Sequence, residues 1–254
     1  MPNYKDLLEQ ATDIAERAAK IAHSYFRQAL LIEMKENHTP VTIADKKTEE
    51  MIRGEISREF PTHGILGEEF GQDAKKSEYL WTIDPIDGTR SFIRGIPLFG
   101  TLLGLLKKGE PILGVMVLPA LDETYAAAKG LGVYCNGMQI RVSATKALES
   151  AVVSCGDISH FEALGKKSYL TALMDKAELL RGYTDCFGHA LVVRGAIDAM
   201  IDPVVSFWDI APIACLIKEA GGEYFNFEGE ETVDTKSFIT CTPALKKEIL
   251  GLSS

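Results

Sequence analysis

The sequence predicts a mixed α/β (α+β) fold. Three features of the 254-residue chain point to it. Apolar residues recur at helical spacing near the N-terminus, short apolar runs broken by turn residues fill the middle, and strand-like and helix-like segments alternate in the C-terminal third.

Each element follows in order. Leu7, Leu8, Ala11, Ile14, Ala15, Ala18, Ile21, Ala22, Tyr25 and Phe26, with Glu, Lys and Asp between them, predict a long amphipathic helix over 7–26. A second helix is expected over 45–59, with Met51, Ile52, Ile56 and Phe60 on one side and Pro61 as its stop. Ile65-Leu66 and the apolar run 79–83 read as two strands, each ending in carboxylates. Segments 99–106, 112–118, 124–128, 132–135 and 139–142 are punctuated by Lys108-Gly109, Pro119, Gly130 and Asn136-Gly137, which suits an antiparallel meander. Beyond Ser150 the order is strand 151–154, helix 161–176, helix 188–194, strand 199–201 and helix 210–220. A soft boundary near 143–150 carries no Pro-, Gly- or Ser-rich linker, so one domain of two packed lobes is expected, about 1–145 and about 146–254. Neither a repeat nor a low-complexity tract is present, and Gly130-Leu131-Gly132 is too short for a dinucleotide site.

Composition narrows the function. A hydrophobic content of 46% can build a sizeable core. The net charge of −9 argues against nucleic acid as a partner, since that needs a basic face, and leaves any phosphorylated substrate to be attracted locally. No run approaches the roughly 18 apolar residues that span a bilayer, so no membrane association is expected. Asp6, Glu9, Asp13, Glu16 and Arg17 interrupt any signal-peptide core. Five dispersed cysteines without a CxxC pair read as reduced thiols of a cytoplasmic protein.

The chemistry concentrates in Asp84-Pro85-Ile86-Asp87-Gly88-Thr89. Two carboxylates so close repel each other, and a hard divalent cation such as Mg²⁺ cures this while accepting the Ile86 carbonyl as a further oxygen ligand. An ordinary strand-to-loop turn is the competing reading. Glu68 and Asp209 add carboxylates at another strand end and at a helix start, where Asp209 could equally be a cap. Ligands of open α/β sheets gather at such an edge.

Taken together, Gly67-Glu68-Glu69, the block 84–89 and Trp208-Asp209-Ile210-Ala211 resemble the signature of the inositol monophosphatase family, the Mg²⁺-dependent, lithium-sensitive phosphatases of sugar and polyol phosphates. Pro40-Val41-Thr42-Ile43-Ala44-Asp45 and Gly221-Gly222 match as well, and several blocks agree in order and spacing. The resemblance implies a layered α/β/α/β/α sandwich and a homodimer. It also implies two Mg²⁺ ions held by Glu68, Asp84, the Ile86 carbonyl, Asp87 and Asp209, with Asp45 at a weak third position; an ordinary Asp at a surface helix start is the alternative for Asp45. Glu68 and Thr89 would orient the attacking water, although Thr89 also reads as a helix N-cap. The Gly88 and Thr89 amides would receive the phosphate.

Two stretches depart from the inositol pattern. Segment 181–189 (RGYTDCFGH) and Arg90-Ser91-Phe92 look more like the histidinol-phosphate phosphatase branch, which acts late in histidine biosynthesis. Histidinol phosphate carries an ammonium and an imidazole, so negative groups should recognise it; Asp185 and Asp202 are the candidates, with Arg181 orienting Asp185 or touching the ester. Arg181 and Asp185 could instead form a surface ion pair, and His189 a satisfied structural contact. Asp87 and Asp209 would also meet the substrate. An inositol-1-phosphate or broad polyol phosphatase is the alternative, and a regulatory binding protein of the same fold stands in another class.

Overall fold

The computed structural model describes residues 3–35, 39–73 and 75–253. Helix α1 (Tyr4–Tyr25) opens the chain, capped by the Asn3 side chain, and β1 (Glu33–Met34) pairs with β2 (Pro40–Val41) ahead of α2 (Ile43–Glu59). The first large sheet contains β3 (Gly64–Gly67), β4 (Gly71–Gln72), β5 (Tyr79–Asp87), β6 (Gly100–Lys107), β7 (Glu110–Leu118), β8 (Glu123–Ala128), β9 (Val133–Cys135) and β10 (Met138–Ile140). Its order is β10-β9-β8-β7-β6-β5-β3-β4, and it is antiparallel except for the β3–β5 pair. The four-residue helix α3 (Thr89–Phe92) lies between β5 and β6.

The second sheet is built from β11 (Val152–Cys155), β12 (Leu179–Arg181), β13 (Ala199–Asp202), β14 (Glu223–Phe225) and β15 (Phe238–Cys241), in the order β12-β11-β13-β15-β14. Helices α4 (Ile158–Ala163), α5 (Lys167–Lys176), α6 (Asp185–Val193), α7 (Phe207–Glu219) and α8 (Lys246–Leu250) accompany it. The helix expected over 161–176 is two helices, because Gly165 takes a left-handed φ of 68° between them.

Alternation along the strands generates the layers. On β6, Leu103 and Leu105 face Ile14 of α1 and Ile52 of α2, while Leu102 and Leu106 face Ile210, Ile213 and Leu216 of α7. α6 shares that middle layer, and Met200 and Phe238 of the second sheet close it from the other side. On the outer face of the second sheet, Val153, Ile201 and Ile239 pack against Phe161, Tyr169, Leu173 and Ile249. The expected α/β/α/β/α sandwich is the observed one.

One close approach sets the position of α7. Gly104 and Gly114 are paired neighbours on β6 and β7, and Pro212 lies directly over them. A Cβ at Gly114 would overlap the Pro212 carbonyl, and one at Gly104 would come within 3.0 Å of the Pro212 nitrogen. The two glycines therefore let α7 rest on the sheet backbone, three residues beyond Asp209.

Candidate active site

The block 84–89 begins as strand and ends as helix. β5 pairs regularly with β6 up to Asp84–Leu102, then resumes at Asp87–Gly100, so three steps on β5 face two on β6. Such a bulge re-aims the side chains at its ends. Three hydrogen bonds hold it: the Ile86 amide donates to Asp84 Oδ1 at 3.0 Å, Thr101 Oγ1 donates to the Pro85 carbonyl at 2.8 Å, and Thr89 Oγ1 donates to the Ile86 carbonyl at 2.9 Å. Gly88, at φ 81°, makes the left-handed step into α3; it, not Thr89, occupies the N-cap position.

Asp209 arrives from the other direction as the third residue of α7. One carboxylate oxygen closes a capping box by accepting the Ser206 amide at 2.7 Å. Capping and membership of the site are thus compatible, since a carboxylate has two oxygens. Among the described residues, Asp84, Asp87 and Asp209 each offer an oxygen within 4.8 Å of the others. Burial, followed by Glu68, Asp87 and Asp209, pushes Asp84 well above the usual carboxylate range. Burial and the neighbouring Asp185 and Asp209 do the same to Asp87. Asp209 is pushed up to about 7, chiefly by burial. Three carboxylates that resist ionising together, all hard oxygen donors, fit a divalent cation such as Mg²⁺.

Glu68 follows β3, its amide donating to the Ile83 carbonyl on β5 at 3.1 Å. Its carboxylate is not one of the three clustered oxygens. Lys35 Nζ holds Glu68 Oε1 at 2.8 Å and Glu69 Oε1 at 2.7 Å. Although burial opposes it, those hydrogen bonds raise the Lys35 pKa. Asp45 is fully buried rather than on the surface. Its Oδ2 accepts from the Thr42 amide and hydroxyl, both at 2.7 Å, and its Oδ1 has no partner. Burial raises its pKa, and Glu68 adds to the rise.

A cavity of about 410 Å³ adjoins the cluster at Asp87 and Asp209. Its lining includes Arg90, Arg94 and His160 as well as Asp157, Asp185 and Asp202. Asp185 opens α6 with φ 56°, a conformation Asp and Asn tolerate better than most residues, and its Oδ2 accepts the Thr184 hydroxyl at 2.9 Å. Burial raises the pKa of Asp185 and pushes Asp202 well above its usual range. Arg181 is exposed at the end of β12 and is absent from the cavity wall. The expected contact of Arg181 with Asp185 or the ester therefore lacks a structural basis: Arg181 ends an edge strand, exposed and outside the cavity lining. Lys35, Asp157 and Arg94 were missed by the sequence reading. Asp157 had a usable signal, being a carboxylate just past a strand end like Glu68; Lys35 had none.

Comparison with known proteins agrees with this architecture. A model of the inositol monophosphatase family matches residues 3–253. The chain is 37% identical to a histidinol-phosphatase of Chlorobaculum parvum over 246 residues, covering 96% of this chain and 95% of that one. It is 35% identical to a fructose-1,6-bisphosphatase/inositol-1-monophosphatase of Aquifex aeolicus, over 88% of this chain and 87% of that one. The solved IMPase of Thermotoga maritima superposes with a TM-score of 0.89 at 31% identity, covering 97% of this chain and 96% of that one. The chain therefore belongs to the inositol monophosphatase family and is a phosphomonoester hydrolase.

Proposed function

We propose that the protein is a Mg²⁺-dependent histidinol-phosphate phosphatase, converting L-histidinol phosphate and water to L-histidinol and phosphate. One observation carries the choice of substrate: Asp157, Asp185 and Asp202 line the same cavity as Asp87 and Asp209. Beyond any metal ligands, the cavity wall thus carries three more carboxylates. The hydroxyls of inositol would give them no counter-charge, whereas an ammonium and a protonated imidazole would. The identities of 37%, 34% and 32% to three proteins named histidinol-phosphatase support the same reading.

Asp84, Asp87 and Asp209 would hold the cation, with Glu68 and the Ile86 carbonyl as further oxygens and Asp45 beside them. When bound, Mg²⁺ supplies charge neutralisation on the phosphoryl oxygens and polarises water for in-line attack. The chain's own groups do the rest. The Thr89 hydroxyl hydrogen is committed to the Ile86 carbonyl, so Thr89 Oγ1 serves as an acceptor that orients the attacking water together with Glu68. The Gly88 and Thr89 amides face the phosphate, and Arg90 and Arg94 at the cavity wall offset the net charge of −9 for an incoming dianion. Asp185 and Asp202 hold the aminoalcohol. The molecule works as a homodimer of single-domain subunits in the cytoplasm.

The test is phosphate release with Mg²⁺ from L-histidinol phosphate and from inositol 1-phosphate on one preparation. A kcat/KM ratio above about 100 for histidinol phosphate, nearly 3 kcal/mol of discrimination, is expected. The reverse ratio would make the protein an inositol-type phosphatase.

A further inference from the structure

On a residue of the cavity wall, one buried polar atom is left over. His189 is only 2% exposed, and its Nδ1 lies 2.9 Å from the Thr240 hydroxyl. Its Nε2 has no hydrogen-bond partner. The nearest charged atom is Asp202 Oδ2 at 3.9 Å, beyond hydrogen-bond distance. An orphaned buried nitrogen is costly, and chains avoid it unless a ligand or water completes the site.

The surroundings hold both groups in place. The Phe238 ring lies against the His189 ring, with centroids 5.3 Å apart and planes inclined at 55°. Gly156 backs Asp202 so closely that a Cβ there would overlap Asp202 Oδ1. Burial keeps His189 neutral, at about 3. When Nδ1–H donates to Thr240 Oγ1, Nε2 keeps its lone pair, on the side where Asp202, a residue of the cavity wall, lies 3.9 Å away. Nε2 and Asp202 Oδ2 are then two acceptors 3.9 Å apart. A single tetrahedral nitrogen can donate to both through bonds of about 2.8 Å with roughly 90° between them. A carboxylate beside a neutral imidazole acceptor suits an ammonium better than a hydroxyl, which has only one hydrogen to give.

We infer that His189 is a specificity-determining residue: with Asp202 it receives the ammonium group of an aminoalcohol phosphate, and Thr240 and Gly156 fix the pair. The inference rests on the proposed substrate class and deepens it, assigning the amino group to this corner of the cavity and leaving the imidazole to the other carboxylates.

The experiment compares L-histidinol phosphate with its des-amino analogue, 3-(imidazol-4-yl)propyl phosphate. Wild type should favour the amine by tenfold or more in kcat/KM, the scale of a hydrogen bond to a charged group. His189→Leu should lose about tenfold more on the amine than on the analogue, chiefly through KM. His189→Gln, whose amide oxygen can replace Nε2, should recover most of that loss. A wild-type ratio near one would overturn the inference whether or not the variants fold; it would mean that only a structural water bridges the two groups. Equal losses on both esters in His189→Leu would also overturn it, by assigning His189 to packing alone. Preference for inositol 1-phosphate over both esters is a separate result, which removes the proposed substrate instead.

Discussion

The backbone amide of Cys186 donates to Asp87 Oδ2 at 2.5 Å, joining the first turn of α6 to the end of β5 across 99 positions of sequence. A helix N-terminus offers unpaired amides and a positive dipole end, so it favours the ionised carboxylate against the burial and like charges that oppose it. The bond fixes one oxygen of Asp87 and leaves the other for the cluster with Asp84 and Asp209. It also ties the cavity wall to the strand that carries Asp84 and Asp87.

Asp87→Asn separates these roles. The amide oxygen of Asn can still accept from Cys186, so the fold should persist with a Tm within about 2 °C. The charge is lost, and phosphate release with Mg²⁺ should fall on the order of 10²–10³-fold, the scale of a removed electrostatic contact to the transition state. Full activity in the variant would remove Asp87 from the site.

Metal-free protein should lose stability as pH rises. The folded pKa values of Asp84 and Asp87 lie above their unfolded values, and those of Asp209 and Glu69 reach about 7. Between about pH 4 and 7 the folded state then binds more protons than the unfolded chain, and this contribution to stability is lost as pH passes through the folded values. With chelator present, Tm should be several degrees lower at pH 8 than at pH 5, and Mg²⁺ should raise it more at pH 8. Thermal melts at both pH values with and without Mg²⁺ decide this; a larger Mg²⁺ effect at pH 5 would contradict it.

Lys35→Met strips the cation from Glu68 and from Glu69, whose side chain is only 5% exposed. A cost of about 1–3 kcal/mol is expected, below that of a fully buried pair because Lys35 and Glu68 retain some solvent. Mg²⁺ should restore part of the lost Tm by supplying positive charge beside Glu68. Equal losses with and without Mg²⁺ would place Glu68 outside the cation's reach.

Asp185→Asn is the clean probe of that side chain, because Asn keeps the left-handed backbone at φ 56° whereas Ala would add strain. The kcat/KM for L-histidinol phosphate should fall about tenfold more than that for inositol 1-phosphate. Equal losses would leave Asp185 a structural part of the α6 turn.

These residues differ in how far the sequence exposed them. Asp84, Asp87 and Asp209 are legible because local chemistry announces each: a Pro-Gly turn at a strand end, and an acid just ahead of the apolar run that begins a helix. Asp45 is legible as an acid at a helix start, but its burial is not, since burial depends on what α2 packs against. Lys35 and Glu68 lie 33 positions apart with no pattern linking them, and only the folded chain brings them together. Apolar spacing continues on both sides of Gly165, so the sequence predicts one helix over 161–176; the left-handed turn wins over that periodicity. Strands β14 and β15, three and four residues long, are too short to display alternation.

The seat of α7 gives a prediction for stability and activity together. Pro212 rests on Gly114, and a methyl at that position has no space, so Gly114→Ala must lift α7 from the sheet or bend β7. Overpacking of this kind costs about 1–3 kcal/mol. Because Asp209 lies three residues before Pro212 on the same helix, the shift should also widen its distance from Asp84 and Asp87 and weaken Mg²⁺ binding. Gly54→Ala is the matched control: Gly54 is exposed in the middle of α2 with nothing within 4 Å of a new Cβ. There the same substitution should stabilise by about 0.5–1 kcal/mol through the lower backbone entropy of the unfolded chain, leaving Mg²⁺ half-saturation unchanged. Melts and Mg²⁺ titrations of the two variants test the coupling. A Gly114→Ala protein that loses stability while keeping wild-type Mg²⁺ half-saturation would show that the site tolerates movement of α7.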